Sequence, residues 1–404
     1  MDTEYYLLEE GMTPKQIIDK HIIVDIHKNP FFIVDLETIT KLHIERNTLF
    51  PGSTTLFKVE SCNKWIIIKL MELLGAGFIC TSKYEISTIK MYNVDMDKVI
   101  FNSPFNQEDD IEFAINNGVS VFTFENEYEL YKLSKYKDKD IKLILRISVL
   151  DNKFGALIED CHRILELAKK LKLLIVGVSF DLGNSYTDVL LFRRAIARVA
   201  IVYGLCYKLG HKPFIIEIGG DLESTKLSTT IEDTALVINS ALYKYFSKDI
   251  DVVIDIGSST ISKAYTLAAR IINKKQIDNT NIYYINDSVC GSFNYLLYDR
   301  SINVNPQPQR PVYNEYYQNS IIIGSGCNKH DIINDISMLP EMKIGDWLIF
   351  EKVPCKSLDK KTIIYILSNN MKKLLEIIKY NDISFDESYK RVYESGSYKK
   401  ETHV

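Results

Sequence analysis

The sequence predicts an α/β fold followed by a β-rich one: a (β/α)8 barrel with a second, discontinuous β-sandwich domain. From Phe31 to about Gly257, short β-branched apolar runs alternate with longer helical patterns, as in repeated βα units around a parallel sheet. With Phe31–Asp35 set aside, the remaining strand candidates number eight, as such a barrel requires. After about Ala264 the pattern changes to clustered β-rich runs joined by turn-forming segments such as Asn305–Pro311.

The barrel strands are predicted at Thr54–Ser61, Gly77–Thr81, Val99–Asn102, Val119–Phe124, Lys142–Val149, Leu174–Asp181, Pro213–Ile218 and Val252–Ile256. Amphipathic helices such as Lys64–Leu74 and Ile164–Leu171 lie between them. The later strands are predicted at Asn281–Ile285, Tyr295–Tyr298, Ser320–Ile323 and Trp347–Phe350, before a closing helix over Asn370–Tyr380 and a polar, mobile tail. The expected domains are therefore 30–265 for the barrel, and 1–29 with 266–404 for the β domain.

Composition narrows the function classes. A chain of 404 residues with 46% hydrophobic and 25% charged residues buries a full core, and a net charge of -4 with pI near 6.0 offers no basic field for nucleic acid. The acidic start Met1-Asp2-Thr3-Glu4 lacks a secretory pattern, so a cytoplasmic protein is expected. The apolar stretch Val189–Leu209 carries Arg193, Arg194 and Arg198, which makes it a packed surface helix rather than a membrane span. Seven cysteines without a CxxC pair read as free thiols, and seven histidines without HxxxH or HExxH spacing give no metal site.

Several strings then carry a family resemblance: Pro30-Phe31-Phe32-Ile33-Val34-Asp35-Leu36, Leu143-Ile144-Leu145-Arg146-Ile147, Val176-Gly177-Val178-Ser179-Phe180, Tyr283-Tyr284-Ile285-Asn286-Asp287, Gly291-Ser292-Phe293-Asn294 and Leu339-Pro340-Glu341-Met342. In order and spacing, from near Tyr5 to near Ile378, the chain resembles the eukaryotic ornithine decarboxylases. These are alanine racemase-like, fold type III enzymes that use pyridoxal phosphate. The resemblance implies a lysine that holds the cofactor aldehyde as a Schiff base and a glycine-rich turn, an arginine and a serine that hold its phosphate.

Those positions are altered. The Ala-Val-Lys-Cys-Asn string of the family is matched by Val59-Glu60-Ser61-Cys62-Asn63, which puts Ser61 at the lysine. Lys58 and Lys64 stand three positions away, an odd offset that on a strand points to the opposite face. The turn is matched by Gly219-Gly220-Asp221, the phosphate arginine by Ser258, the phosphate serine by Asn184 and the ring-stacking histidine by Asp181. A carboxylate about 5 Å from a phosphate dianion costs roughly 6 kcal/mol at an effective dielectric of 20. Glu85, Arg146, Asp255, Asp299 and Cys327 remain as counterparts of site residues, with Arg146 also readable as a structural ion-pair partner.

The resemblance thus implies a pseudoenzyme without pyridoxal phosphate, most similar to the antizyme inhibitors of polyamine biosynthesis, with antizyme or an authentic decarboxylase subunit as partner and a monomeric or weakly dimeric state. The alternatives are an active ornithine, lysine or arginine decarboxylase with an altered site, and a pseudo-subunit of a true decarboxylase. The antizyme-binding element of the family corresponds to Asn106–Lys132, where Glu112, Asn117, Glu129 and Lys132 are the expected contacts. Glu108–Glu112 is acidic where the family carries lysines, a reversal that opposes an acidic partner surface.

Overall fold

The computed structural model describes residues 4–8, 13–24, 28–149, 153–183, 186–223, 229–247, 249–256, 258–298, 300, 302, 304–310, 316–326, 330–354 and 362–373. The chain divides into two units, 43–260 and 1–42 with 261–404. These bounds differ from the expected 30 and 265, because Phe31–Asp35 pairs with Tyr265–Ala268 and Thr362–Ile366 and belongs to the second unit.

The first unit is a closed barrel of eight parallel strands. They are Thr54–Lys58, Gly77–Cys80, Val99–Phe101, Val121–Phe124, Lys142–Arg146, Leu174–Asp181, Ile215–Gly219 and Asp251–Ile256, with Asp255 opposite Leu56 where the ring closes. Helices alternate with them, for the reasons the sequence gives. Lys83–Met91 starts at Ser82, whose hydroxyl accepts from the N–H of Glu85, and Ile231–Tyr245 starts at a reciprocal cap between Thr230 and Asp233. The 20-residue helix Leu190–Leu209 buries Phe192, Ala195, Ile196, Val199, Val202 and Cys206, the packed helix its spacing predicts. Among the described residues no helix is long and apolar enough to cross a membrane.

One inward side chain per strand forms an apolar layer: Leu56, Ile79, Ile100, Val121, Ile144, Val176, Ile215 and Val253. Arg46 is buried beside the two strands that close the ring, bonded to Thr55 and to the Ile254 carbonyl.

The second unit is a mixed sheet of nine strands. Its longest strand, Tyr265–Ile277, pairs with Phe31–Asp35 and Trp347–Glu351 through its first half and with Thr280–Ile285 through its second. Ile17, Ile18, Phe31, Ile33, Trp347, Ile364 and Ile366 pack into one cluster. Two expectations change here. Thr54–Ser61 ends as a strand at Lys58 and continues as a 3-10 turn, Val59–Ser61. The expected strand Tyr295–Tyr298 falls on a 3-10 helix, Asn294–Leu297, and its C-cap, with the Phe293 and Tyr295 rings tilted against each other at 6.3 Å. Of the closing helix only 369–373 is described.

Replacing Ile144 by alanine should empty part of the apolar layer and lower stability by about 2–5 kcal/mol, read as a drop in urea midpoint at unchanged slope. A loss below about 1 kcal/mol would mean that the layer is not a packed core.

Candidate functional site

Two residues beyond the apolar layer, strand parity brings a polar layer into the barrel mouth: Lys58, Asn102, Thr123, Arg146, Glu217 and Asp255 follow Leu56, Ile100, Val121, Ile144, Ile215 and Val253. On Leu174–Asp181 one extra residue enters the pairing opposite Leu143 and Ile144, so that Ser179 stands in register with Arg146 and Glu217, and Asp181 with Gly219.

The charges in this layer form a chain. Lys58 Nζ lies 2.9 Å from Asp255 Oδ2 and 3.3 Å from Asp181 Oδ2. Arg146 faces Asp181 at 3.9 Å and Glu125 at 3.5 Å, and its guanidinium sits 5.7 Å from the centre of the Phe154 ring. Below them Asn102 donates to Glu217 Oε1 at 3.3 Å and accepts from Thr123 Oγ1 at 2.9 Å.

Lys58 is therefore a correction. Expected on the face opposite Ser61, it points inward with Leu56, because Ser61 is on the 3-10 turn and strand parity does not run through it. Ser61 is buried, with 3% of its surface exposed.

Burial sets the protonation states. It alone would depress the Lys58 ammonium, but Asp255 and Asp181 outweigh it and hold the pKa well above the ordinary lysine value. For Asp181 the opposite charges of Lys58 and Arg146 overcome burial and lower its pKa. Asp255 is raised, since burial exceeds the help from Lys58. Glu217 is pushed up to about 8 by burial and then by the charge of Asp255.

The two turns above this layer hold each other. Asp181 Oδ1 accepts from Gly183 N at 2.7 Å, Leu182 N donates to Gly219 O at 3.3 Å and Asp221 N donates to Gly183 O at 3.0 Å. Gly220 takes φ +109, and a Cβ at Gly219 would come within 2.8 Å of Phe180 O, so both positions require glycine. The Asp221 side chain is buried beside this turn. Glu85 accepts from Thr81 N at 2.7 Å and from its hydroxyl, and burial raises its pKa. Asn184, Asp299 and Cys327, and the side chain of Ser258, lie outside the described residues.

The expected partner segment gives a second correction. Glu129 is 2% exposed: it accepts from Asn106 Nδ2 at 2.9 Å and Glu125 N at 2.6 Å, and burial pushes its pKa up to about 7. It is an internal brace and not a surface contact. Lys132 Nζ donates to Asn106 O at 3.0 Å, Asn117 accepts from Lys90 at 2.6 Å, and Glu112 is exposed.

Sequence reasoning missed Lys58, Glu125, Ser179 and Glu217 as members of the mouth. The signal available for Glu217 was its place two residues before Gly219 at the end of a barrel strand.

Residues 36–262 match the family described as pyridoxal-dependent decarboxylase, pyridoxal binding domain. The chain is 32% identical to the ornithine decarboxylase of Rattus norvegicus, over 92% of this chain and 89% of that protein. It is 31% identical to antizyme inhibitor 2 of Xenopus laevis, over 87% and 83%. Among solved structures, the arginine decarboxylase of Paramecium bursaria Chlorella virus bound to agmatine superposes with a TM-score of 0.81 at 27% identity, covering 87% of this chain and all of that one.

Glu217 has a consequence for stability. Its folded pKa of about 8 lies above the ordinary 4.5, so the folded state binds the extra proton between those values and loses stability as pH rises across that window. The slope is at most about 1.4 kcal/mol per pH unit and vanishes above the folded value. Glu217→Gln should flatten it in urea unfolding series from about pH 5 to about pH 9, and equal slopes in the two proteins would refute the assignment.

Proposed function

The chain belongs to the ornithine decarboxylase and antizyme inhibitor family of pyridoxal-dependent decarboxylases, and from that membership we propose that it is a member without cofactor or catalysis. It acts as a regulatory binding protein of the cytosol, monomeric or weakly dimeric, and its partner is antizyme. The observation that carries this reading is the state of the one lysine in the polar layer. An amine must be neutral to add to an aldehyde, and Lys58 is held as an ammonium between Asp255 and Asp181.

The phosphate end supports the same reading. A phosphate dianion needs free N–H donors and a cation. The N–H groups of Leu182, Gly183 and Asp221 are spent on acceptors inside the turns, and two carboxylates, Asp181 and Asp221, stand there. These residues do not fit pyridoxal phosphate. Buried free thiols at Cys80, Cys161 and Cys206 suit a reducing compartment. For the partner, the support is the likeness to antizyme inhibitors over most of the chain and the frame at Asn106–Lys132, a helix, a strand and a helix at Glu108–Asn116, Val121–Phe124 and Glu127–Ser134.

A second reading, an active decarboxylase of ornithine, lysine or arginine with an altered site, is favoured by one observation: the Lys58 amine stands in the barrel mouth at the end of the first barrel strand. The purified protein should show no cofactor absorbance and release no carbon dioxide from the three amino acids, before or after Ser61→Lys. A stoichiometric, borohydride-reducible adduct on Lys58 would overturn the first reading and establish the second.

Charge reversal at the partner segment gives a separate test. Glu112→Lys should tighten antizyme binding, and Lys132→Ala should weaken it by about 1–3 kcal/mol as a charge pair is lost. Titration at low and moderate salt checks both, and absence of antizyme binding by wild type and both variants removes antizyme as the partner.

A further inference from the structure

Three buried acceptors on neighbouring barrel strands have no hydrogen-bond donor among the described residues: Ser179 Oγ, Glu217 Oε2 and Asp255 Oδ1. Their residues are 2%, 2% and 1% exposed. Ser179 and Glu217 are in register across one strand pair, and Asp255 lies two residues beyond Val253, the register partner of Glu217 on the next strand. Parity therefore turns all three toward the barrel interior. A buried acceptor left unpaired costs about 1–3 kcal/mol, and more when it is charged.

The surrounding charge favours one kind of donor. Asp181, Asp255, Glu217 and Glu125 face Lys58 and Arg146, and the two cations are engaged with Asp181, Glu125 and the other oxygen of Asp255. An anion entering here would meet an excess of carboxylates. A metal ion is a poor complement as well, because among the described residues no three His, Cys, Asp or Glu side chains gather as ligands. A primary ammonium carries one positive charge and three N–H donors, and these match three acceptors once the ligand's charge replaces the proton that Glu217 holds up to about pH 8.

We propose that the barrel mouth binds a small primary ammonium ion, directly and without an aldehyde cofactor, through Ser179 Oγ, Glu217 Oε2 and Asp255 Oδ1. This site rests on the reading that no cofactor fills the mouth. The visible spectrum of the preparation is therefore recorded first, so that a cofactor-loaded protein is recognised before any titration.

The test is calorimetric titration of the full chain with methylammonium chloride, beside tetramethylammonium chloride and potassium chloride at matched ionic strength. Saturable binding is expected for methylammonium alone, since tetramethylammonium has the charge without N–H donors and potassium has neither their direction nor their number. Glu217→Gln removes, at nearly constant volume, the carboxyl group that gives up its proton to the ligand's charge and should weaken binding by at least about tenfold. Ser179→Ala, which keeps the proposal testable should the first variant not fold, should weaken it by roughly fivefold to tenfold. The proposal falls if methylammonium gives no saturable heat, which would leave the acceptors to water, if the three cations respond alike, or if Ser179→Ala binds as tightly as wild type.

Discussion

Charges inside a closed eight-stranded barrel have little water to turn to, so each must be neutralised by the others or by a proton. Lys58 and Asp255, 2.9 Å apart on the two strands that close the ring, are the centre of that arrangement. Asp181 joins them from across the mouth, and Arg146 and Glu125 extend the chain. Glu217, fully buried below, forms no ion pair among the described residues and keeps its proton to about pH 8. The protonation states are consequences of this one packing problem.

The same side chains organise the loops. Asp181 pairs with Lys58 through one oxygen and holds the Gly183 amide with the other. Gly183 in turn accepts from Asp221 on the glycine turn. A dipeptide that elsewhere would present amides to an anion is here closed upon a neighbouring loop, and its two glycines still permit the tight approach. The conformational role of the glycines is separable from anion binding.

The segment from Asn106 to Lys132 is tied into the barrel by an internal acid. Asn106, at φ +38, is held through its side chain to Thr123 O and Glu129, and Glu129 also fixes the amide of Glu125, whose carboxylate meets Arg146. A rigid brace beneath a surface helix leaves Glu108 paired with Lys135 and Glu112 facing solvent. The buried part of that segment holds its shape, and the exposed acids set its charge.

By itself the sequence determined the barrel, because alternating apolar strands and amphipathic helices have few other ways to bury their faces. It also determined the family, the altered cofactor positions at Asp181, Asp221 and Ser61, and the reversed charge at Glu108–Glu112. It did not reveal Tyr265–Ile277 or Thr362–Ser368 as strands, the first because Ala268-Ala269-Arg270 and Lys274-Lys275 have weak β preference and the ladder partners on either side decide. Nor did it place Lys58: counting from Ser61 gives the wrong face once the chain leaves the strand, and only the 3-10 turn at Val59–Ser61 shows where the count must restart. Which carboxylates share a cation, and which must keep a proton, was decided by tertiary structure alone, since Lys58, Asp181, Glu217 and Asp255 come together only when the eight strands close into a ring.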